Sequence, residues 1–290
     1  MSDIKNDTLV IVVTYNAMQW IKKCIQSVET SEHPSDLFII DNMSTDETVD
    51  YIKKNHPHIK FIQNEQNLGF GAANNIGLQY AINHNYSYVY LLNQDAWIQP
   101  NTISILINEC ERHPEFGILS PMQFQANCVH LDSDFNQIYS KTGHSDKTTA
   151  VNNVMAAHWL ISRKCLLEVG GFSPTFHHYG EDDNYCDRAR FKGFKIGIVP
   201  SAIAIHDREN RIDPPEKKLY LDFVRTLVFL SGFERSDLFA IYGFSCDSIK
   251  YLFREKSFLF VKYFKELLSN YKQIKSNRSI SKSRTAFLSN

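Results

Sequence analysis

The chain has 290 residues, of which 43% are hydrophobic, so it is long enough to bury the core of one large α/β domain with an appendage. Its 31 Lys and Arg side chains are balanced by 32 Asp and Glu side chains, for a formal net charge of -1. This balance argues against a general nucleic-acid-binding protein, because such proteins carry a basic surface. We therefore expect no nucleic-acid partner.

The cysteines and the hydrophobic segments indicate the cellular compartment in which the protein is expected. The six cysteines are scattered and form no Cys-x-x-Cys pair, which favours a reducing environment. The N-terminal residues lack the apolar region of a signal peptide, and no run of about 18 apolar residues could cross a bilayer. The sequence therefore predicts a cytoplasmic protein.

Short apolar segments alternate with helical patterns through the first hundred residues. Strands are predicted at 9–13, 37–40, 61–62 and 88–92, with helices at 18–29, after 44–47 and at 71–83. This alternation predicts a mainly parallel, Rossmann-like central sheet flanked by helices. Ligands of such sheets bind at the carboxyl ends of the strands, where Thr14, Asp41 and Asp95 lie.

Two later segments differ in composition from this pattern. Residues 128–151 are polar and without periodicity, which predicts a mobile loop or an excursion on the acceptor side. After Pro214 and Pro215 the chain has long, aromatic-rich helical patterns and a basic, Ser- and Lys-rich end that we expect to be frayed. We therefore predict a catalytic domain at 1–213 and a basic helical appendage at 214–290.

The first predicted strand ends in Thr14, Tyr15 and Asn16, which offer a hydroxyl, an aromatic ring and an amide to a nucleotide. A plain strand end with an Asn helix cap is an equal alternative. Asp41 follows the second strand, where its carboxylate could accept hydrogen bonds from a base or a ribose hydroxyl.

The segment 67–77 contains small residues where a loop enters a helix. Small side chains allow backbone N–H groups to approach a phosphate or sugar closely, so Asn67, Gly71 and Asn75 are candidate donor-binding residues. Close packing of the helix on the sheet is the alternative explanation.

Asn93 and Asp95 follow a buried strand. A divalent cation that bridges a diphosphate needs only one or two protein ligands, so Asp95 is a candidate metal ligand. Its alternative role is to cap a turn. His206 follows an apolar run, and a lone histidine there is more often structural.

Three consecutive acids, Glu181, Asp182 and Asp183, open a predicted helix. The helix dipole favours acids in a first turn whatever the function, but three like charges repel and can raise a pKa towards that of a useful base. Farther along this helix, Asp187 with Arg188 or Arg190 is interpreted as an ion-pair face.

Taken together, the motifs resemble the family 2 glycosyltransferases of the GT-A fold, especially a bacterial, rhamnosyltransferase-like branch that assembles surface polysaccharides. The resemblance covers residues 9–206, and the motifs occur in the family's order. They are Val-Val-Thr-Tyr-Asn at 12–16, Ile-Asp-Asn-x-Ser-Thr-Asp at 40–46, Asn-x-Gly-Phe-Gly with Asn-Asn-x-Gly at 67–77, Leu-Asn-x-Asp at 92–95, Val-Gly-Gly-Phe at 169–172, Gly-Glu-Asp at 180–182, and His206.

The resemblance implies a role for each matching residue. Thr14, Tyr15 and Asp41 would hold the nucleotide, and Asn93 with Asp95 would form the Asp-x-Asp-like site. Asp95 and His206 would bind Mg²⁺ or Mn²⁺, Gly171 and Phe172 would shape the acceptor side, and Asp182 would be the base of an inverting displacement.

The chain departs from the family at three places. Asn93 replaces an acid, and Asn184 stands where many relatives have a second acid, so the base could be Asp182 or Asp183. His158 and Trp159 replace smaller residues, and their rings could stack on an acceptor sugar or pack in the core. The Gln-x-x-Arg-Trp motif of processive relatives is absent, which favours single-sugar addition.

The resemblance also implies the partners: a UDP- or dTDP-linked sugar as donor, and a saccharide or lipid-linked saccharide as acceptor. The C-terminal helices could pack on the catalytic domain, form a homodimer, or lie on the inner face of the plasma membrane through Phe258, Leu259, Phe260, Leu267 and Leu268, with Lys262 and Lys265 between them. A non-catalytic member of the fold that binds nucleotide sugars or glycans is the alternative function.

Overall fold

The computed structural model describes residues 6–143, 145–208, 217–233, 237–238, 242–243, 245 and 259–289. Its strands are β1 (Thr8–Thr14), β2 (Asp36–Asp41), β3 (Lys60–Gln63), β4 (Tyr88–Asn93), β5 (Ala96–Ile98), β6 (Phe116–Phe124), β7 (Thr149–Val151), β8 (His158–Ser162) and β9 (Lys195–His206). Its helices are α1 (Ile21–Glu29), α2 (Thr48–Asn55), α3 (Phe70–Asn83), α4 (Thr102–Arg112), α5 (Ser133–Tyr139), α6 (Arg163–Val169), α7 (Glu181–Phe191), α8 (Lys217–Ser231) and α9 (Leu259–Ile280).

The N-terminal strands form the parallel part of a nine-stranded sheet, in the order β3-β2-β1-β4. Residues Leu9 to Val12 are buried because helices cover both faces of β1, which explains their continuous apolar run. One hydrophobic cluster includes Ile11 and Leu91, and another on the other face includes Val10 and Leu92. The predicted α/β architecture is confirmed.

Beyond β4 the sheet is mixed, which the predicted strand alternation did not anticipate. β8 is antiparallel to both β4 and β6, whereas β9 runs parallel to β6 and antiparallel to β5 and β7. Consecutive parallel pairing therefore holds for β3-β2-β1-β4, and beyond β4 only β6 and β9 pair in parallel.

The segment 128–151 is more regular than its composition suggested. Asp132 caps α5 by accepting hydrogen bonds from the backbone N–H groups of Asp134 and Phe135, both at 3.0 Å. Phe135 and Tyr139 are buried one helical turn apart, and β7 then pairs with β9. The prediction of a mobile, patternless loop was wrong, because the polar composition concealed one cap and two anchoring aromatic residues.

The C-terminal helices form the predicted appendage. α9 packs on α8 around a separate hydrophobic cluster that includes Phe223, Tyr263 and Leu267. Leu267 is thus buried, while Leu268 is exposed. Within the described ranges no helix is long and apolar enough to span a bilayer. The predicted boundary at 213–214, Phe258, and the side chains of Leu259 and Phe260 lie outside the described residues.

The end of the chain docks on the catalytic domain and is not frayed. Thr285 N donates a hydrogen bond to Leu167 O (3.0 Å), and Gly171 N donates one to Ala286 O (2.7 Å). Ala286 is buried against Gly170, whose φ of 83° already favours glycine. The backbone of the tail therefore occupies the place that a side chain at Gly170 would take.

We predict that Gly170→Ala destabilises the protein more than the control Gly193→Ala does. Both positions have positive φ, so each substitution strains the backbone, and Gly170 (φ 83°, ψ −147°) lies in a region that is essentially restricted to glycine. A Cβ at Gly170 would also lie 2.2 Å from Ala286 O, whereas one at Gly193 would meet no described atom within 4 Å. The free energy of unfolding, measured by urea denaturation, should show the difference.

Removing residues 285–290 should reduce the cost of Gly170→Ala, because the clash with Ala286 is lost and only the backbone strain at Gly170 remains, whereas the cost of Gly193→Ala should not change. A cost of Gly170→Ala that is the same with and without residues 285–290 would contradict the docked position of the tail.

Candidate active site

The parallel register brings the ends of β1, β2 and β4 to one edge of the sheet. Thr14 is paired with Asp41, and Val13 with Asn93. Thr14 Oγ1 donates a hydrogen bond to Asp41 Oδ1 (2.8 Å), and Ser44 donates to both carboxylate oxygens, from Oγ at 2.5 Å and from its backbone N at 2.8 Å. Thr14 and Asp41 are fully buried. Asp41 thus holds the loop after β2 against β1.

Tyr15 presents an aromatic ring at this edge. Its side chain is 45% exposed, although its backbone is fixed by Gln94. Tyr15 N donates to Gln94 Oε1 (2.7 Å), and Gln94 Nε2 donates to Tyr15 O (3.2 Å). Asn16 Oδ1 accepts from Thr45 N (2.8 Å), so Asn16 ties the loop after β1 to the loop after β2, and neither α1 nor α2 has a side-chain cap. No sequence signal pointed to Gln94, which lies between the two motif residues Asn93 and Asp95.

The small residues at the start of α3 serve packing. Asn75 Nδ2 donates to Phe172 O (2.9 Å), and Phe172 N donates to Asn75 Oδ1 (2.6 Å). A Cβ at Gly71 would lie 2.9 Å from Phe172 Cβ. Asn67 Oδ1 accepts from Gly69 N (2.9 Å) within its own loop. These contacts support the packing alternative for this motif.

The predicted acceptor-side rings lie in the core. Trp159 and Phe172 are stacked with centroids 6.3 Å apart, and Tyr185 packs against both. Trp159 is 0% exposed and Phe172 is 1% exposed, so neither can contact an acceptor in this conformation. A Cβ at Gly171 would lie 2.5 Å from Asn75 Oδ1, so that glycine is required for close approach. The structure therefore supports core packing, the alternative interpretation of Trp159.

His158 is a buried support for the end of β9. Its Nε2 donates to Ile205 O (3.0 Å), and its Nδ1 accepts from Tyr90 Oη (2.9 Å). Burial, followed by the neighbouring His206, lowers the pKa of His158 to about 3, so the ring is neutral. The ring of His206 stands edge-on to it at 6.4 Å. His158 therefore lies behind the candidate metal ligand rather than against the acceptor.

Asp95 and His206 form the candidate metal site. Asp95 Oδ1 and His206 Nε2 are 3.5 Å apart, a separation that one cation can bridge, and Asp207 N anchors the end of β9 to Asp95 O (2.8 Å). Burial pushes the pKa of Asp95 upwards, but the His206 contact and then the charge of Arg208 outweigh it, and the pKa lies below its usual value.

A second carboxylate faces the other ring nitrogen of His206. His206 Nδ1 is buried, has no hydrogen-bond partner among the described residues, and lies 3.6 Å from Asp132 Oδ2. Metal-binding histidines commonly direct the second nitrogen to a carboxylate, which fixes the tautomer. The residues therefore fit a divalent cation on Nε2. Sequence reasoning missed Asp132, although its position before a short helix was a cap signal.

Asn93 offers an unused acceptor next to this pair. Its Oδ1 is buried and has no hydrogen-bond partner within the part of the chain that the structure describes. Buried polar atoms are rarely left unpaired, so this oxygen favours a ligand hydroxyl or a hydrated cation. Its backbone N donates to Ala157 O (3.0 Å).

The acidic motif lies on the other side of residues 156–157. Gly180, in the left-handed region with φ 81°, precedes α7, and Asp182 Oδ1 accepts a hydrogen bond from Asp183 N (2.9 Å). Ala157 O accepts from Asn93 N, and the backbone N–H of the neighbouring Ala156 lies near the Asp182 carboxylate, so residues 156–157 lie between the strand ends and the acids. The geometry brings the two motifs into one site.

Burial raises the pKa values in the acidic motif. Desolvation, and then the charge of Asp182, raise the pKa of Glu181, whose Oε2 is buried without a partner among the described residues. Desolvation, and then the charge of Asp183, raise the pKa of Asp182. Asp183 Oδ1 accepts from Asn153 Nδ2. A carboxylate with a raised pKa in a partly open position is suited to take a proton.

The ion-pair face predicted on α7 exists only in part. Arg190 pairs with Asp187, but Arg188 is fully buried and bonds to neutral oxygens, including Val169 O (2.9 Å) and Asn184 Oδ1 (3.1 Å). Desolvation lowers the pKa of Arg188 to about 10. Asn184, the residue that departs from the family motif, therefore accepts a hydrogen bond from a buried arginine. The burial of Arg188 was not predicted from the sequence.

A groove extends from the acids between α7 and α8. Asp182 and Asp183 line a cavity of about 650 Å³. A second cavity, of about 460 Å³, shares Asn152 and other lining residues with the first and reaches Phe191 and Phe233. Their combined size suits a ligand larger than a single sugar.

Comparison with known proteins agrees with this geometry. The family model described as Glycosyl transferase family 2 matches residues 9–170. A low-salt glycan biosynthesis hexosyltransferase of Haloferax volcanii is 22% identical over 232 residues, which are 75% of this chain and 73% of that protein. An N-acetylglucosaminyl-diphospho-decaprenol L-rhamnosyltransferase of Mycobacterium tuberculosis is 23% identical over 266 residues, covering 79% of this chain and 87% of that protein.

Solved structures support the fold. S. aureus TarS (residues 1–349) is 15% identical, with a TM-score of 0.62 over 95% of this chain and 83% of that one. The Pyrobaculum calidifontis mannosyltransferase PcManGT, in complex with GDP-Man and Mn²⁺, is 14% identical, with a TM-score of 0.56 over 96% of this chain and 85% of that one. These neighbours share the GT-A fold, so the fold implied by the motif order is confirmed.

We predict that Glu181→Gln stabilises the protein more at pH 8 than at pH 5. Because the pKa of Glu181 is raised in the folded protein, the folded chain still holds this proton at pH values where the unfolded chain has released it. The wild type therefore loses stability as the pH rises from about 4, the pKa of a glutamate in the unfolded chain, to the pKa in the folded chain. Gln cannot ionise and avoids this loss, which we expect to be on the order of 1–3 kcal/mol.

Urea denaturation at both pH values measures this effect, with the exposed Glu65→Gln as the matched control. Equal effects of Glu181→Gln at both pH values would contradict the raised pKa.

Proposed function

The chain belongs to glycosyl transferase family 2, and on that premise we propose that it is an inverting, divalent-metal-dependent enzyme that moves one sugar from a nucleotide-diphosphate sugar to an acceptor hydroxyl. The observation that carries the proposal is that residues 156–157 lie between Asn93, two residues before Asp95 of the Asp95–His206 pair, and the carboxylate of Asp182. A single displacement needs one base and one centre that stabilises the leaving group. The site supplies both.

The donor nucleotide binds at the carboxyl edge of β1 and β2 in this proposal. The exposed ring of Tyr15 provides a stacking surface for the base, while Thr14 and Asp41 shape the loop beside it. The free Asn93 Oδ1 is available to a donor hydroxyl. A UDP- or dTDP-linked sugar is the expected donor. Asn67, Gly71 and Asn75 act indirectly, by fixing the start of α3.

Asp95 and His206 hold Mg²⁺ or Mn²⁺ in this proposal. When bound, the cation neutralises charge on the diphosphate leaving group. The carboxylate of Asp95 is ionised at neutral pH, since its pKa is low. The carboxylate of Asp132 lies 3.6 Å from His206 Nδ1, which would favour a proton on Nδ1 and leave Nε2 to the cation. The Mn²⁺ in the related mannosyltransferase complex supports a cation of this class.

Asp182 is the proposed base. The hydrogen bond from Asp183 N (2.9 Å) orients the carboxylate, and its raised pKa increases its proton affinity near neutral pH. Asp183 is held by Asn153, and its negative charge, after desolvation, raises the pKa of Asp182. Glu181 is buried beside them and has a raised pKa of its own.

The groove between α7 and α8 is the proposed acceptor site. Its α8 wall is apolar, with Val224, Val228 and Phe229, while Asn152 and Arg190 offer polar groups to saccharide hydroxyls. The mycobacterial relative is named for a diphospho-decaprenol-linked saccharide, which supports a lipid-linked acceptor here and a role in surface glycan assembly.

A lipid-linked acceptor would bring the protein to the inner face of the plasma membrane. The exposed Lys262, Lys265 and Leu268 on α9 could then contact anionic lipid, whereas Leu267 could not because it is buried against α8.

We predict that Asp182→Asn lowers the turnover rate by about 10²–10⁴-fold, because the amide cannot take the acceptor proton. The rate of nucleoside diphosphate release from a panel of UDP-, dTDP- and GDP-linked sugars measures this, with and without added acceptor. Affinity for the nucleoside diphosphate should be unchanged. The acid limb of the pH–rate profile should lie above pH 4, as the raised pKa requires.

Asp183→Asn is the matched control, and we expect it to retain most of the activity. Loss of activity in Asp183→Asn with full activity in Asp182→Asn would reassign the base, and full activity in both variants would contradict catalysis by this motif.

A further inference from the structure

Three side chains with metal-binding atoms converge near the amino ends of β2 and β3, at the opposite ends of the strands from the active site. Glu29 ends α1, His56 follows α2, and His58 precedes β3. These positions are next to the amino ends of β2 and β3, whereas the active site lies at the carboxyl ends. The three ligand atoms lie within 4.8 Å of one another.

The distances match those that one ion would impose. Glu29 Oε1 is 3.0 Å from His56 Nδ1 and 3.3 Å from His58 Nε2. Ligands about 2.0–2.1 Å from a tetrahedral zinc ion lie about 3.3 Å apart. Both imidazoles thus meet the same carboxylate oxygen at the spacing of zinc ligands.

The local sequence favours this arrangement. Pro57 has a restricted φ, so the His-Pro-His segment offers two imidazoles from a short and stiff loop. Tyr51 Oη lies 3.4 Å from His56 Nε2 and orients the ring from behind, as a partner of a metal-binding histidine commonly does. The His56 side chain is only 14% exposed, while that of His58 is 67% exposed and accessible to an ion from solvent.

Space for a fourth ligand lies beside the trio. Glu29 and His58 line a cavity of about 280 Å³ together with Asp36 and Lys60. Two histidines and one glutamate with an open position are a known ligand set of zinc, in which water completes the coordination. Imidazole nitrogen ligands favour zinc and similar transition metals over Mg²⁺.

We propose that Glu29, His56 and His58 form a second metal site, which binds Zn²⁺ or a similar transition-metal ion with water as fourth ligand. The ion would tie the end of α1 to the connection between α2 and β3. It would stabilise the folded chain by mass action, because the three residues converge only after folding. The site is independent of the active site and of the proposed function.

Zinc titration by calorimetry on the untagged, chelator-treated full-length chain tests the proposal. Asp95→Ala serves as the background, because it removes the other candidate metal site. We expect one zinc ion per chain and a higher Tm with zinc. Adding His58→Ala should weaken binding at least tenfold, which is the scale of losing even an outer contact to a metal site.

His113→Ala is the matched control, because His113 lies near the carboxylates of Glu109 and Glu115 without a second histidine among the described residues. It should leave binding unchanged. Co²⁺ should give intense visible absorption of tetrahedral coordination, absent after His58→Ala. No stoichiometric zinc in the Asp95→Ala background, or equal binding with and without His58→Ala, would overturn the proposal.

Discussion

Parallel pairing of β1 with β2 and β4 is the constraint on which the site depends. It brings Thr14, Asp41 and Asn93 to one edge, and the buried Thr14–Asp41 hydrogen bond fixes the loop beside that edge. β8 then enters antiparallel to β4, so the residues before it cross the strand ends, where Ala157 O accepts from Asn93 N and the N–H of Ala156 lies near Asp182. A change in strand register would therefore separate the proposed metal ligands from the proposed base.

The elements closest to this edge could be predicted from the sequence. Continuous apolar runs such as Leu9 to Val12 identify strands buried on both faces, and the polar residue after each strand marks the ligand edge. The association of Asp95 with His206 came from the resemblance to a family, since the 110 residues between them carry no local signal of it. The 3.5 Å contact agrees with that expectation.

Other features required the three-dimensional structure because single side chains decide them. The resemblance implied that Phe172 shapes the acceptor side, and Trp159 could either stack on a sugar or pack in the core, but both rings fill the core around Tyr185. Arg188 looks like part of an exposed ion pair, yet it is buried among carbonyl groups. The tail can dock because Gly170 has no Cβ, and a glycine in the sequence does not indicate which neighbouring segment occupies the space beside it.

Binding of nucleoside diphosphates with Mn²⁺ and with EDTA, measured by calorimetry on the wild type and on Asp95→Ala, tests the central claim most directly. The account predicts metal-dependent binding of one diphosphate by the wild type and at least tenfold weaker binding by Asp95→Ala, a loss of about 1.4 kcal/mol or more. The exposed control Asp50→Ala should bind as the wild type does. Equal binding in EDTA and Mn²⁺, or by the wild type and Asp95→Ala, would contradict a metal-assisted donor site at this edge.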